Sequence, residues 1–183
     1  MKKTVETERA DWIRSALLQY ESPLVRYVAR IVGDLDRARD VVQDTFLKLC
    51  AADREKVEDR LAAWLYTVAR NRALDVYKKE RRMSPTSDSV LEVFESALPS
   101  PAEAAETVEA KSQVFLALET LSPRQREVLR LKFQENLSYK EIGEITGNTV
   151  SHVGVLIHTA LKNVRESLHK QPGLAEAIGG QQS

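Results

Sequence analysis

The chain has 183 residues, in which 27 Lys and Arg balance 27 Asp and Glu, with 43% apolar residues and one cysteine. This length fits one domain or two small ones with a hydrophobic core, and the single Cys50 excludes an intrachain disulfide. No Cys/His cluster has zinc-ligand spacing, and no stretch is typical of a signal peptide or a membrane span. We therefore expect a cytoplasmic protein that is not inserted in a membrane and binds no metal.

The first half of the sequence has helical periodicity. Apolar residues recur at helical spacing up to Tyr20 and predict a first helix. Pro23, preceded by a serine, is typical of a helix start, so a second helix is predicted from there to Gly33. A third helix is followed by a polar loop at 51–59 and by a fourth helix from about Leu61. The buried face of the third helix is predicted to contain Ala38, Val41, Val42, Thr45, Phe46 and Leu49.

The middle of the chain differs in composition from both halves. Residues 83–110 contain no Lys or Arg, accumulate acidic residues, and include three prolines and several serines. Because proline cannot continue a helix and serine competes for backbone hydrogen bonds, this stretch is typical of a linker. No segment alternates apolar and polar residues as a strand does, so an all-α fold of two small domains is predicted. The expected parts are a domain at 5–83, a linker at 84–109, a second domain at 110–170 and a disordered tail at 171–183.

Two helix starts in the second half have the same signature. Ser122 with Gln125, and Ser138 with Glu141, match the capping box, in which two side chains satisfy free backbone N–H groups at a helix start. They predict helices at about 123–133 and 139–146.

A glycine turn and a longer amphipathic helix follow. Gly147 is suited to a tight turn, and the next helix begins at Val150. A short helix, a turn and a longer helix are typical of a helix-turn-helix motif, although an ordinary helical hairpin has the same pattern. The predicted apolar stripe of the last helix is Val150, Val153, Ile157, Leu161, Val164 and Leu168.

Four sequence blocks stand in a defined order: DVVQDTFLKL at 40–49, AWLYTVARNRALD at 63–75, LSPRQREVL at 121–129 and LSYKEI at 137–142. Together they resemble bacterial sigma factors of the sigma-70 family, in the small extracytoplasmic-function (ECF) group. The resemblance implies a region 2 helical bundle that binds core RNA polymerase and melts the minus-ten promoter element. It also implies a region 4 helix-turn-helix that binds the minus-thirty-five element. No cofactor and no enzymatic chemistry are expected.

The resemblance assigns one face of the third helix to the polymerase clamp. This face contains Asp40, Gln43, Asp44 and Leu47. The family usually has acidic residues just before the aspartate, whereas this chain has Arg37 and Arg39. One hypothesis is that phosphorylation of a nearby hydroxyl, such as that of Thr45, by a Ser/Thr kinase restores negative charge, and the alternative is that the neighbouring acids suffice.

The fourth helix is the expected minus-ten element reader. The resemblance, together with the positive charge at its end, assigns DNA contacts to Asn71, Arg72, Asp75, Lys78 and Lys79. Arg72 and Asp75 are three residues apart, a spacing at which two side chains on a helix can pair. The family also captures a flipped base in the preceding loop, here 51–59. Trp64 lies on the apolar stripe and is predicted to belong to the core.

The last helix is the expected minus-thirty-five element reader, but it is poor in charge. Where the family commonly has basic residues, this chain has Gly154, Leu156 and Thr159. Val155 or Leu156 is suited to a thymine methyl group, and few cations predict weak affinity with a shallow salt dependence. The expected contacts are Arg124, Lys140, Thr149, Ser151, His152, Val155, Thr159 and Lys162.

Two classes of function fit these patterns. The first is a promoter-specificity factor that binds core polymerase and promoter DNA, with an anti-sigma factor as a further partner. The second is a sigma-like interaction protein that binds polymerase or an anti-sigma factor without selecting promoters. An enzyme is disfavoured because the three histidines lack metal-ligand spacing and Cys50 has no partner motif. A two-component regulator is disfavoured because the first half lacks the strand–helix alternation of a receiver domain.

Overall fold

Helices and short turns make up the described part of the chain. The computed structural model describes residues 2–83 and 114–169, and these two ranges contain no β-strand. The expected linker and tail lie outside the described residues. The all-α, two-domain prediction is confirmed. In chain order the elements are α1 (Lys2–Val32), α2 (Leu35–Ala51), α3 (Arg54–Val57), a 3-10 turn (Glu58–Arg60), α4 (Leu61–Met83), a helical segment at 114–119, α5 (Pro123–Phe133), α6 (Tyr139–Thr146) and α7 (Val150–His169).

Helix α1 is one continuous helix, so the predicted break at Pro23 is wrong. Proline removes one backbone hydrogen bond from a helix interior and clashes with the preceding turn. Burial compensates here, because Leu24, Val28 and Ile31 in the second half are inaccessible to solvent. The predicted stop at Gly33 is correct, since this residue has φ +73° and its N–H donates to the Ala29 carbonyl at 2.8 Å.

Helix α2 follows the sequence prediction closely. All six residues predicted for its buried face are buried. The Asp34 side chain accepts a hydrogen bond from the backbone N–H of Arg37 at 2.8 Å and caps the start. At the other end, Arg9 of α1 donates to the carbonyls of Cys50 and Ala52 at 2.7 and 2.8 Å. The cation thereby satisfies carbonyl groups that a helix end leaves free.

The segment predicted as a polar loop at 51–59 is mostly helical. It forms α3 and the 3-10 turn, and Val57 is buried in the core of the first domain. The guanidinium of Arg54 lies 5.5 Å from the centre of the Trp12 ring, where cation and π-face attract each other. Hydrophobicity is low in this segment, so its order comes from these tertiary contacts rather than from a periodic pattern.

The second domain is a helix-turn-helix unit. Both predicted capping boxes are present. The side chains of Ser122 and Ser138 accept from the backbone N–H groups of Gln125 and Glu141. In return, the side chains of Gln125 and Glu141 accept from the backbone N–H groups of the two serines. Gly147 has φ +72°, as the turn requires. Gly143 is also constrained, because a Cβ atom there would lie 2.7 Å from the Asn148 carbonyl oxygen. Close approach of α6 to the turn therefore depends on a residue without a side chain.

The apolar stripe of α7 lies slightly off its predicted position. Val153, Ile157 and Ala160 are buried, whereas Val150 and Leu161 are 51% and 43% exposed. The projection of the sequence centred the stripe on the longest apolar side chains. The core instead takes the small Ala160, because α5 packs closely against α7.

The two domains pack against each other. Helix α4 of the first domain contacts α6 of the second, and Tyr27 of α1 hydrogen-bonds to Glu127 of α5. On the rim of this contact, Arg60 lies 3.6 Å from Glu144. Among the described helices, none is both long and apolar enough to cross a membrane.

Candidate polymerase and nucleic-acid interfaces

The predicted polymerase face lies along the outer side of α2. Asp40, Gln43 and Leu47 are exposed, and Asp44 is half-buried. Leu47 is 67% exposed, although leucine in a helix normally packs against a neighbour. An exposed leucine between acidic and amide side chains is typical of a surface that binds another protein.

An apolar groove of about 750 Å³ adjoins this face between α1 and α2. Leu47 and Gln43 form one edge, and Leu17 of α1, which is 37% exposed, forms part of the other. Sequence analysis missed the contribution of α1, because Leu17 fits the predicted core stripe of that helix. The apolar residues that line the groove are Ile13, Leu17, Val25, Val42, Phe46 and Leu47.

The two arginines beside this face are both paired. Arg37 contacts Glu80 of α4 at 2.7 Å, and Arg39 contacts Asp36 at 2.8 Å. Both pairs are solvent-exposed, so they add little stability, but they reduce the positive charge that the face presents. The neighbouring acids thus offset the charge of both arginines, and the alternative in which they suffice for polymerase binding stays a prediction.

The phosphorylation hypothesis for Thr45 is not supported. Thr45 is fully buried, and its hydroxyl donates to the Val41 carbonyl at 2.8 Å. A kinase has no access to a hydroxyl in this position, and a phosphate there would be forced into the core. The sequence placed Thr45 on the buried face correctly, and that placement excludes the modification.

The predicted minus-ten face of α4 is open to solvent. All five candidate residues, Asn71, Arg72, Asp75, Lys78 and Lys79, are exposed. Arg72 pairs with Asp44 of α2 rather than with Asp75, and its Nε donates to Asp44 Oδ2 at 3.1 Å. This contact joins the predicted polymerase face to the predicted DNA face.

The aromatic residues of α4 face the other way. Tyr66 is fully buried and packs edge-to-face on Tyr27, with ring centres 5.1 Å apart. Burial raises the pKa of both tyrosines above its usual value. Trp64 is half-buried against the core, as predicted. Tyr66 therefore has no exposed ring face for stacking.

The predicted minus-thirty-five contacts lie on α5, on α6, and on α7 with the turn before it. Arg124 and Lys140 are exposed, as are Thr149, Ser151, His152, Val155 and Lys162, and Thr159 is half-buried. The Thr149 hydroxyl accepts from the backbone N–H of His152 at 3.2 Å. Leu156, which the sequence placed beside Val155 on the outer face of α7, is half-buried against the core. The face therefore has one apolar candidate for a thymine methyl group, Val155.

The described residues contain no group of His, Cys, Asp or Glu side chains arranged to hold a metal ion.

Comparison with known proteins identifies the family. The chain matches the sequence profile Sigma-70 region 2 over residues 17–83 and the profile Sigma-70, region 4 over residues 117–166. The chain belongs to the sigma-70 family, in its ECF group. Its relatives in this family are RNA polymerase sigma factors, which supports a role as a transcription initiation factor.

Individual relatives match over most of their length. The chain is 26% identical over 162 residues to the RNA polymerase sigma factor YlaC of Bacillus subtilis, covering 87% of this chain and 94% of YlaC. It is 29% identical over 163 residues to the ECF RNA polymerase sigma factor SigL of Mycobacterium tuberculosis, covering 86% and 89% of the two chains. The solved structure of the sigma factor RpoE from Bartonella quintana, crystallised with the anti-sigma factor NepR, shares the fold. Its TM-score is 0.58 and its identity 24%, over 86% of this chain and 97% of that one.

Proposed function

We propose that this sigma factor binds core RNA polymerase through α2 and directs it to promoters with a minus-ten and a minus-thirty-five element. The observation that carries the proposal is the pair of solvent-open helices, α4 and α7, held on one chain by the two matched sigma-70 regions. Each helix offers side chains of the type that contacts phosphates and bases. The protein is expected to act in the cytoplasm, where it meets the polymerase.

The polymerase contact is proposed at the outer face of α2. Leu47 serves as the apolar anchor, with the groove between α1 and α2 beside it. Asp40 and Asp44 supply negative charge for cations of the partner, and Gln43 supplies an amide for hydrogen bonds. Buried apolar anchors surrounded by polar contacts carry most of the binding energy in protein interfaces.

The minus-ten contact is proposed at the exposed end of α4. Lys78 and Lys79 hold phosphates of the separated strand, and Arg72 and Asn71 lie nearer the bases. Asp75 is a hydrogen-bond acceptor for an exocyclic amine. Because Arg72 also pairs with Asp44, polymerase binding on α2 and DNA binding on α4 share a side chain.

The minus-thirty-five contact is proposed at the helix-turn-helix. Val155 faces thymine methyl groups, and Ser151, His152 and Thr159 offer hydrogen bonds in the major groove. Arg124, Lys140, Thr149 and Lys162 contact the flanking phosphates. An anti-sigma factor is a further proposed partner, since a protein of the same fold has been crystallised with one.

The second candidate is a sigma-like interaction protein that selects no promoter. The charge-poor α7, with Val155 60% exposed, favours it, because such a face suits a protein partner as well as DNA. Run-off transcription on genomic promoter fragments separates the two functions. Discrete start sites that depend on this chain support the proposed function, and stable polymerase binding without discrete starts supports the second candidate.

The polymerase contact has its own variant pair. Leu47→Ala is expected to weaken binding to core polymerase about tenfold, because it removes the apolar anchor. Leu18→Ala is the matched control, since Leu18 is exposed on α1 but does not line the groove. Affinities are measured by fluorescence anisotropy with labelled sigma factor. Equal affinities of the two variants would contradict the assignment of this face.

A further inference from the structure

A second cavity, of about 310 Å³, lies where the end of α1 meets the second domain. Its volume is near the lower end of the range for small-molecule pockets, which are mostly apolar with a few polar groups. Phe133 at its edge is 63% exposed, so the cavity is accessible from solvent. None of its lining residues was among those expected to function. The apolar ones are Phe115, Leu118, Leu129, Phe133, Leu161 and Val164.

Three guanidinium groups line the same cavity. Arg30 comes from α1, and Arg126 and Arg130 come from successive turns of α5. Arg126 is 7% exposed, and the other two arginines are half-buried. Among the described residues of the lining, Glu119 is the one carboxylate. The lining therefore combines apolar walls with an excess of positive charge.

The arginines are close enough to repel one another. Burial, together with the charges of Arg30 and Arg126, lowers the pKa of Arg130 to about 10. Burial and the charge of Arg26 likewise lower the pKa of Arg30. Arg30 and Arg130 both remain cationic at neutral pH, because a pKa of about 10 is still well above 7. The cations are thus held together although burial and repulsion oppose their charge.

Nearby carboxylates of the second domain compensate this charge only in part. Glu127 raises the pKa of Arg130 and Glu135 raises that of Arg30, but neither reverses the downward shift. Glu127 is already bound elsewhere, since its Oε1 accepts from Arg70 Nε at 2.8 Å and from the Tyr27 hydroxyl at 2.7 Å. An anion in the cavity would therefore be attracted by charge that the described residues do not balance.

Arg30 also has a hydrogen-bond donor to offer. Its Nη1 donates to the Arg26 carbonyl at 3.3 Å, whereas its Nε is buried and has no hydrogen-bond partner among the described residues. Buried donors are normally satisfied, because an unmade hydrogen bond away from water is unfavourable. Oxygen atoms of carboxylates and phosphates bind guanidinium groups in short, charge-assisted hydrogen bonds. The free donor and the charge excess thus favour the same kind of ligand.

We propose that this cavity is a binding site for a small anion with an apolar body. The head group accepts hydrogen bonds from Arg30 and Arg130, and Arg126 adds positive charge behind them. The body packs against the apolar walls, where the two phenylalanines, Phe115 and Phe133, suit an aromatic ring. A carboxylate and a phosphate ester share this chemistry, since both fit the planar guanidinium group. The site lies beyond the proposed function and needs neither polymerase nor DNA.

The test is isothermal titration calorimetry of the full-length chain with four probes. Phenylbutyrate and phenylethyl phosphate carry an apolar body with either head group, and the tighter of the two names the head group. Phenylbutanol has the body without the charge, and inorganic phosphate has the charge without the body. We expect binding of at least one of the two amphipathic anions at submillimolar concentration. Phenylbutanol and inorganic phosphate are each expected to bind about tenfold more weakly, or less.

Variants locate the probe in the cavity. Arg130→Gln is expected to weaken binding of the preferred anion about tenfold. The same variant should raise the urea midpoint of unfolding, because it relieves repulsion, whereas loss of a merely structural arginine would lower it. Glu119→Gln removes the carboxylate of the lining and is expected to tighten binding about threefold. Arg165→Gln is the matched control, since Arg165 is exposed on α7 outside the lining, and should change neither quantity.

Three results would overturn the inference. Equal affinities for phenylbutyrate and phenylbutanol would mean an apolar surface that recognises no anion and is suited to cover by another protein. Unchanged affinity in both Arg130→Gln and Glu119→Gln would place the probe elsewhere, and Glu119→Gln keeps this arm decisive if Arg130→Gln folds poorly. Absence of binding by both amphipathic anions at millimolar concentration is the third. Failure of the proposed function is separate, because it appears as absent run-off transcription by the unaltered chain.

Discussion

The two helices proposed to contact DNA expose different chemistry. The end of α4 presents Lys78 and Lys79, with Arg72 nearby, whereas the outer face of α7 presents His152, Val155 and hydroxyl groups. The cation of α7 at Lys162 lies 3.8 Å from Glu166, which offsets its charge. Attraction to phosphates depends on salt, whereas contacts to base edges depend on sequence. The comparison assigns affinity mainly to α4 and base selection mainly to α7.

The largest effect is expected from a substitution beside the turn that positions α7. Gly143→Ala places a Cβ atom 2.7 Å from the Asn148 carbonyl oxygen, and backbone cannot yield as a flexible side chain does. We expect the free energy of unfolding to fall by about 1–3 kcal/mol. Because the turn positions α7, binding to minus-thirty-five duplex is expected to fall as well. Urea unfolding and anisotropy measure the two effects.

Another glycine of the same motif is the control. A Cβ atom at Gly154 would lie 3.7 Å from the Tyr139 ring, an ordinary contact. Gly154→Ala therefore gains helix propensity without a clash and is expected to stabilise by about 1 kcal/mol. Opposite signs for the two alanine variants support the close approach at Gly143. Equal destabilisation would contradict it.

A smaller effect is expected from removing cations from α4. Combining Lys78→Gln with Lys79→Gln removes two exposed cations from α4 and is expected to weaken binding to forked minus-ten DNA about tenfold. The dependence of log affinity on log salt should become shallower by about 1.5–2. The slope is measured by anisotropy over a range of NaCl concentrations.

The control for this pair is on α7. Lys162→Gln removes a cation that Glu166 already offsets, so its slope on minus-thirty-five duplex is expected to change by less than 1. A slope unchanged by the α4 double variant, or a large change from Lys162→Gln, would reverse the division of roles between the helices.

The sequence predicted local structure well wherever one segment carries its own signal. The six buried positions of α2 follow from a single helical stripe, and the capping boxes at Ser122 and Ser138 follow from side chains that act within four residues. Pro23 is the informative error. A serine–proline pair is favourable at a helix start, but it also occurs inside a helix when burial elsewhere in the helix compensates for the lost hydrogen bond. The pair alone does not show whether such burial is present.

The candidate site was predictable only in part. Exposure of the α4 and α7 candidates follows from amphipathicity, so it was accessible to sequence reasoning. The pairing of Arg72 with Asp44, and the burial of Glu127 between Tyr27 and Arg70, join residues that lie 28 to 100 positions apart. No local pattern specifies such partners. A tyrosine in an apolar stripe, as at Tyr27, was the available hint, because its buried hydroxyl requires a hydrogen-bond partner.

The smallest effect is expected from adding a positive charge to α7. Thr159 is half-buried on the outer face. Thr159→Lys is expected to tighten binding to minus-thirty-five duplex about threefold and to steepen the salt dependence by about 1, because one more phosphate is neutralised. Thr159→Gln, of similar length without charge, is the control and should leave the slope unchanged. A larger gain on non-promoter duplex than on promoter duplex is also expected, since phosphate contacts carry no sequence information. If both variants weaken binding equally, the Thr159 hydroxyl itself contacts a base, and the helix selects its site through that contact rather than through affinity for the backbone.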